Sequence, residues 1–177
     1  RASDQIRSLF GRDRTAIFPP PGVSRGDSFF AQTDTSSPSR LYLGVASPGR
    51  GPKLVFLRTL QTLLAGAQAL ATGGEDDPAD PYLTALCYFN ALRELGGARR
   101  IVDDEVRAHL GSYGSSRVRL LPLGQVFANR QLRDIQELTS RYSTDKVSEA
   151  RTHLGRPARD QSAVDVALAT NMISVGL

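Results

Sequence analysis

Hydrophobic and polar positions follow two different periods along this chain, and the changes of period predict its helices and strands. Residues 53–71 place an apolar side chain every three or four positions, and the preceding Pro52 suits a first helical turn. Residues 82–89, with the sequence YLTALCYF, are almost continuously apolar. Such a run is typical of a strand that is buried on both faces of a parallel sheet. A long helix followed by a buried strand is therefore the first expectation.

The remaining segments extend this pattern to both sides. Further helices are predicted at residues 3–9, from about 91 to 110 and from 143 or 144 to 154, and further strands at 15–18, 40–46, 118–121, 135–139 and 164–169. Ser3 is expected to cap the first helix, and residues 1–50 to form a lead-in of one helix, a Pro-rich loop and the first strands. Helices that alternate with strands over residues 51–177 predict an α/β fold with a mostly parallel sheet.

The charge of the chain comes almost wholly from arginine. The formal net charge is +4, with 20 arginines and two lysines against 18 acidic residues. A planar guanidinium forms paired hydrogen bonds with phosphate, although GC-rich coding is the favoured explanation of the arginine-to-lysine ratio. Residues 1–74 hold 9 basic and 4 acidic groups, 75–110 hold 4 and 8, and 111–177 hold 9 and 6. Two basic segments thus flank an acidic one, which permits a basic face.

Several kinds of site are disfavoured by motifs that the sequence lacks. No G-x-x-x-x-G-K-[ST] loop is present to hold a triphosphate. His109 and His153 have no cysteine or histidine at ligand spacing, so no metal site is expected. The acidic run 101–105, IVDDE, continues a helical apolar stripe, which favours a solvated helix face over a metal-binding strand end.

The single Cys87 lies within the apolar run 82–89, where a small buried side chain is favoured over a nucleophile. One cysteine allows no disulfide within the chain and fits the reducing cytoplasm, where we expect the protein. No apolar stretch approaches the roughly 20 residues that span a membrane, so no membrane partner is expected.

Polar residues follow three of the predicted strands, at the positions where open α/β sheets bind their ligands. Hydroxyl and amide groups beside free backbone N–H groups at such ends suit phosphate oxygens. Each loop alone is explained as well by turn and cap hydrogen bonds, but three loops at one edge favour a ligand face. The loops hold Asn90 and Arg93 after YLTALCYF, Thr139, Ser140 and Arg141 after IQEL, and Thr170, Asn171, Met172, Ile173, Ser174, Val175 and Gly176 after VDVALA.

Several stretches resemble helicase motifs. The segment DVALATNMISVG, residues 165–176, resembles motif V of superfamily-two helicases, in which a strand ends in Ala-Thr and a glycine follows six residues later. The segment LTALCYFNALRELGGA, residues 83–98, resembles motif IV of the same second RecA-like domain. More narrowly, FPPPGVSRGDSFFA, YFNALRELGGARR and ELTSRYSTDKVSEA resemble the large helicase-related protein of the DISARM anti-phage defence system and its relatives. The similarity extends over nearly the whole chain.

This resemblance implies a RecA-like three-layer sandwich, present as a single partial second domain that is truncated at its C-terminus. It also implies a nucleic-acid-dependent ATPase whose two lobes close on ATP and Mg²⁺ and grip a DNA or RNA strand. The first RecA-like domain of the same protein and other defence-system subunits are the protein partners that it implies. In motif V, the threonine that matches Thr170 contacts a backbone phosphate, and the glycine that matches Gly176 faces the ATP cleft between the lobes.

The resemblance also implies which catalytic groups of the motor are missing from this chain and which of its residues contact the nucleic acid. The acid that follows the motif V glycine falls beyond Leu177, and the phosphate-binding loop, the acidic motif and the arginine finger of such motors are absent from the sequence. Because phosphoryl transfer depends on those groups, no catalytic residue and no ATPase activity are expected in this chain alone. The expected contacts to the nucleic-acid backbone are Thr170, Asn171 and Ser174, then Arg141 with Thr139 and Ser140, and more weakly Asn90 and Arg93.

Two other interpretations stay open. The chain is alternatively a non-catalytic scaffold or docking module that has kept the fold without the motor function. A small-molecule enzyme with a doubly wound sheet is the third, and it is disfavoured because no G-x-G-x-x-G follows any predicted strand.

Overall fold

The computed structural model describes residues 2–16, 18, 22–23, 26–28, 30–37, 40–46, 48–117 and 124–170. Contacts within the chain divide it into two compact units, Arg1–Gly44 and Val45–Leu177. All three strands of the described part belong to the second unit.

The first unit contains one helix, α1 (Ala2–Phe10), followed by irregular chain in its described residues. The helix expected at the N-terminus is therefore present, but Ser3 lies inside it and does not cap it. The strand expected at 15–18 is not formed by the described residues of that range. A strand requires a hydrogen-bonded neighbour, which a short apolar run does not supply by itself.

The prediction of a strand at residues 40–46 is also wrong. This stretch forms neither helix nor strand, and Leu41, Tyr42 and Leu43 are all more than three-quarters exposed. Its β-prone composition predicts a strand only if another strand lies alongside it. The three strands of the described sheet pair with one another and not with this segment.

The second unit contains the helices and strands of the fold. A single 3₁₀ turn (Asp80–Tyr82) precedes the first strand, and a π-helical turn (Val102–Val106) makes α3 and α4 continuous. The elements are α2 (Pro52–Leu70), β1 (Ala85–Phe89), α3 (Leu92–Ile101), α4 (Arg107–Leu110), β2 (Ile135–Leu138), α5 (Thr144–Leu154) and β3 (Val166–Thr170).

Sequence periodicity accounts for the helices of this unit. Helix α2 begins at Pro52, where a missing N–H costs nothing, and it buries Leu57, Leu60 and Leu64 as expected. The apolar helical stripe within residues 95–110 is likewise buried, while Asp104 and Glu105 are exposed. The acidic run therefore lies on a solvated helix face, as predicted. Helix α5 follows Ser143 and ends before Gly155, also as predicted.

The three strands form a parallel sheet in the order β1-β3-β2. All residues of the central strand β3 are buried. Val166 and Leu168 face the cluster formed by α2, α3 and α4, whereas Ala167 and Ala169 face α5. Helices therefore cover both faces of the sheet. The expected α/β fold with a parallel sheet between two helical layers is confirmed, in agreement with a RecA-like arrangement.

The first strand differs from its expectation in two respects. It begins at Ala85, later than the run that starts at residue 82, and only one of its faces is covered. Leu86 and Tyr88 are 46% and 53% exposed, because α5 packs over β2 and β3 and not over β1. A continuous apolar run does not reveal which faces a helix covers, so the prediction of burial on both faces is wrong. The strand predicted at 118–121 lies outside the described residues.

Candidate nucleic-acid interface

The C-terminal ends of the three strands lie side by side at one edge of the sheet. Phe89, the last residue of β1, pairs in register with Thr170. Strand β2 ends at Leu138, which pairs with Ala169, so Thr139 follows β2 one position later, as Thr170 follows Ala169. We call this border, which carries Asn90, Thr139 and Thr170, the carboxyl edge. The strand ends that precede the three predicted loops thus lie at a common edge.

The loop after β2 is a turn with one buried and two exposed members. Thr139 is 3% exposed, and its hydroxyl donates to Oε1 of Glu137 at 2.8 Å. The same Oγ1 accepts the backbone N–H of Arg141 at 3.4 Å, and the Thr139 carbonyl accepts the N–H of Tyr142 at 3.2 Å. Ser140 and Arg141 are exposed. Thr139 therefore shapes the turn, and its two neighbours present their side chains to solvent.

The loop after β1 leads directly into α3. Asn90 and Arg93 are exposed on either side of Ala91, the residue that precedes the helix. Ala91 has no side-chain acceptor, so the first amides of α3 receive no side-chain cap. Exposed side chains beside uncapped helix amides are chemically suited to an anion.

Thr170 ends the central strand and is 8% exposed. The other predicted members of this loop, Asn171, Ser174 and Gly176, lie outside the described residues. The nucleic-acid contact assigned to Thr170 stays a prediction, as does the contact of each other residue of the carboxyl edge.

Sequence reasoning missed an aromatic pair beside the carboxyl edge. The rings of Phe56 on α2 and Phe89 on β1 meet edge to face, with 5.6 Å between centroids and 71° between planes. Phe56 shares a helical stripe with Leu60 and Leu64, which marked it as partly buried. Nothing in the sequence marked its ring as a neighbour of Phe89.

A second missed feature lies at the opposite edge, where the strands begin. Asp165 is 1% exposed, and its Oδ1 lies 2.6 Å from Nη2 of Arg130. Its Oδ2 accepts the backbone N–H groups of Arg133 at 2.5 Å and Asp134 at 3.1 Å. Arg130 also donates to the Leu83 carbonyl at 2.5 Å. These bonds connect the start of β3 to the segments that precede β1 and β2.

No group of three or more His, Cys, Asp or Glu side chains in the described part is arranged to hold a metal ion. Gly176, the residue assigned to the ATP cleft, is not among the described residues. Within the same described ranges, no helix is long and apolar enough to cross a membrane.

The parallel sheet, its helical layers and its polar carboxyl edge define an α/β domain of the class in which ligands bind beyond the strand ends. No protein-family model matches the chain. The chain is similar to the DISARM protein DrmA of Bacillus paralicheniformis (strain ATCC 9945a / NCIMB 11709 / CD-2), with 37% identity over 180 residues. The match spans 99% of this chain but only 15% of DrmA.

The chain is therefore related to a DISARM protein over nearly its whole length, as the sequence motifs indicated. The match covers a small share of this relative, and it does not test whether the segment belongs to a helicase domain. The assignment to a second RecA-like domain stays a prediction.

Proposed function

We propose that this chain supplies the nucleic-acid backbone-binding edge, and one wall of the ATP cleft, of a nucleic-acid-dependent ATPase of the helicase type that acts in phage defence. The observation that carries the proposal is the carboxyl edge itself. The strands β1, β2 and β3 pair in parallel and end at one border, and an exposed arginine follows each of the first two. The similarity to a DISARM protein supports the defence context.

The chemistry of this edge suits phosphate more than bases. Arg93 and Arg141 are exposed cations, and helices α3 and α5 both begin at this edge, with their N-terminal amides directed toward it. Contacts to phosphates carry no sequence information, so binding is expected to tolerate any sequence and to weaken steeply with salt.

We assign ATP and Mg²⁺ to the complete protein and not to this chain alone. The first RecA-like domain of the same protein would supply the phosphate-binding loop, and Gly176 would face the nucleotide from this side. Other subunits of the defence system would be further partners. In the complete protein, Thr170→Ala should reduce strand-stimulated ATP turnover more than basal turnover. An equal loss of both would count against a strand contact by Thr170.

Binding of a labelled single-stranded oligonucleotide, followed by fluorescence anisotropy across a salt series, tests the interface. Arg141→Gln should weaken binding and reduce the slope of log K against log salt concentration by about 1. The matched control is Arg151→Gln, because Arg151 is also exposed but lies in the last turn of α5. Eleven residues of helix separate the ends of α5 by about 16 Å. Equal affinity of wild type and Arg141→Gln at all salt concentrations would refute the interface.

One observation favours the alternative of a docking module. Leu86 and Tyr88 form an exposed apolar pair on the uncovered face of β1. Exposed apolar surface of this kind is used for protein contacts. An intact protein whose ATPase activity does not respond to nucleic acid, in an assay where it binds other subunits, would favour this alternative.

A further inference from the structure

A cavity of about 480 Å³ opens beside the C-terminal end of β1, between the first turns of α2 and one side of α3. Phe56 and Phe89 contribute aromatic rings to it, and the inner wall is apolar, from Ala98 and Ile101. Both rings pack against the core but are partly exposed, so part of each ring is accessible to a ligand. The cavity therefore offers π faces and edges to a planar guest.

The position of this cavity relates it to the carboxyl edge. Phe89 is in register with Thr170, and alternation along the strands directs both side chains to the face that packs against α2 and α3. A strand whose phosphates run along the carboxyl edge would thus pass the mouth of the cavity.

The rim of the cavity carries charge that suits a phosphate. Lys53 and Arg93 are exposed cations in the lining, and Glu94 is the single acid among the lining residues. Gly97 also lines the cavity, and a Cβ built at this position meets no atom within 4 Å. The rim is therefore open, basic on balance and close to the aromatic rings.

We propose that this cavity receives one base of a single-stranded nucleic acid, which stacks against Phe56 and Phe89 while Lys53 and Arg93 contact the flanking phosphates. The proposal rests on the proposed function, since it assigns the base of a strand whose backbone lies on the carboxyl edge. Aromatic stacking is tolerant of sequence, because every base has a π face, so the cavity adds affinity without adding specificity.

Phe56→Leu is the variant that tests this assignment, because leucine keeps an apolar side chain but removes the flat ring. Loss of a base stack is expected to weaken binding of a single-stranded oligonucleotide about fivefold or more. The matched control is Phe127→Leu, which changes a half-buried ring in another edge-to-face pair, with Tyr113 at 5.4 Å. That variant should bind as the wild type does.

An oligonucleotide of abasic sites, with the same phosphates, separates stacking from backbone contacts. The wild type should bind it about fivefold or more weakly than the base-containing strand, and Phe56→Leu should bind it as the wild type does. If Phe56→Leu binds both oligonucleotides like the wild type while Arg141→Gln binds both more weakly, the cavity assignment is overturned and the backbone interface stands. If neither variant weakens binding, the proposed function itself fails.

A measurement on the unmodified chain keeps the proposal testable if Phe56→Leu does not fold. A strand that carries the fluorescent base 2-aminopurine at successive positions reports the stacking of that base. Because binding tolerates any sequence, the strand binds in several registers, and we expect the fluorescence to change on binding at every interior position. Fluorescence equal to that of the free strand at every position would overturn the cavity assignment.

Discussion

Arg130 and Asp165 form a buried ion pair at the edge of the sheet where the strands begin, with 2.6 Å between Nη2 and Oδ1 and side-chain exposures of 5% and 1%. The carboxylate also accepts two backbone N–H groups, and the guanidinium donates to the Leu83 carbonyl. One side-chain pair thus connects three separate chain segments at the edge opposite the carboxyl edge.

Removing one partner of this pair should destabilise the fold strongly. Asp165→Ala leaves a buried guanidinium without its counter-charge and two N–H groups without an acceptor, which should lower the free energy of unfolding by about 3–5 kcal/mol. Urea denaturation followed by circular dichroism measures the change. The control is Asp104→Ala, because Asp104 pairs with Arg100 at the surface at 3.5 Å. An equal effect of the two variants would contradict the role given to the buried pair.

The ion pair is an example of a contact that the sequence alone does not predict. Helix α2 and strand β3 were predictable, because a helical stripe and a short apolar run each reflect burial of a local segment. Arg130 and Asp165 are 35 positions apart, and no local period connects them. The meeting of Phe56 with Phe89 depends in the same way on how α2 lies against β1. The carboxyl edge was predictable because parallel strands must end on the same side.

Two adjacent leucines of α2 test the helical stripe directly. Leu64 is fully buried, whereas Leu63 is 58% exposed. Leu64→Ala should lower the free energy of unfolding by about 2–5 kcal/mol, because it removes buried surface and leaves a cavity. Leu63→Ala has the same change of helix propensity and should cost far less. Denaturant titration of both variants measures the difference, and similar losses would show that the stripe is misplaced.

The hydrogen bonds to the Asp77 carboxylate predict how the stability of the fold changes at low pH. This carboxylate accepts the backbone N–H groups of Ala79, Gly73 and Thr72 at 2.8–2.9 Å, and these bonds lower its pKa below the ordinary 3.8. The stabilisation is present above the ordinary pKa and is lost as the pH falls through the lowered pKa of the folded state. Asp77→Asn should therefore be less stable than wild type at neutral pH, with a gap that narrows below about pH 4.

The measurement is the free energy of unfolding against pH for wild type and Asp77→Asn, with Asp76→Asn as the control for net charge. Asp76 is exposed in the same loop. A gap between wild type and Asp77→Asn that stays constant between neutral pH and pH 3 would contradict this assignment.

Cys87 should be unreactive in the folded protein. Its side chain packs against the main core cluster, and burial raises its pKa from 9.0 to about 11. The reactive thiolate is therefore scarce at pH 8. Alkylation with iodoacetamide should be slow in buffer and fast in concentrated denaturant. Equal rates in the two conditions would place this thiol at the surface. Such a result would also contradict the register of β1, which directs Cys87 toward the core.

Gln61 is a polar residue inside the apolar face of α2, and its replacement tests whether that amide contributes to the fold. It is fully buried, and neither its Oε1 nor its Nε2 has a hydrogen-bond partner among the described residues. An unpaired buried amide costs about 1–3 kcal/mol, whereas methionine has a similar length and helix propensity and no such cost. Gln61→Met should therefore raise the free energy of unfolding by about 1 kcal/mol or more in denaturant titration. A loss of stability would show instead that this amide has a partner, and that the polar position in the stripe is structural.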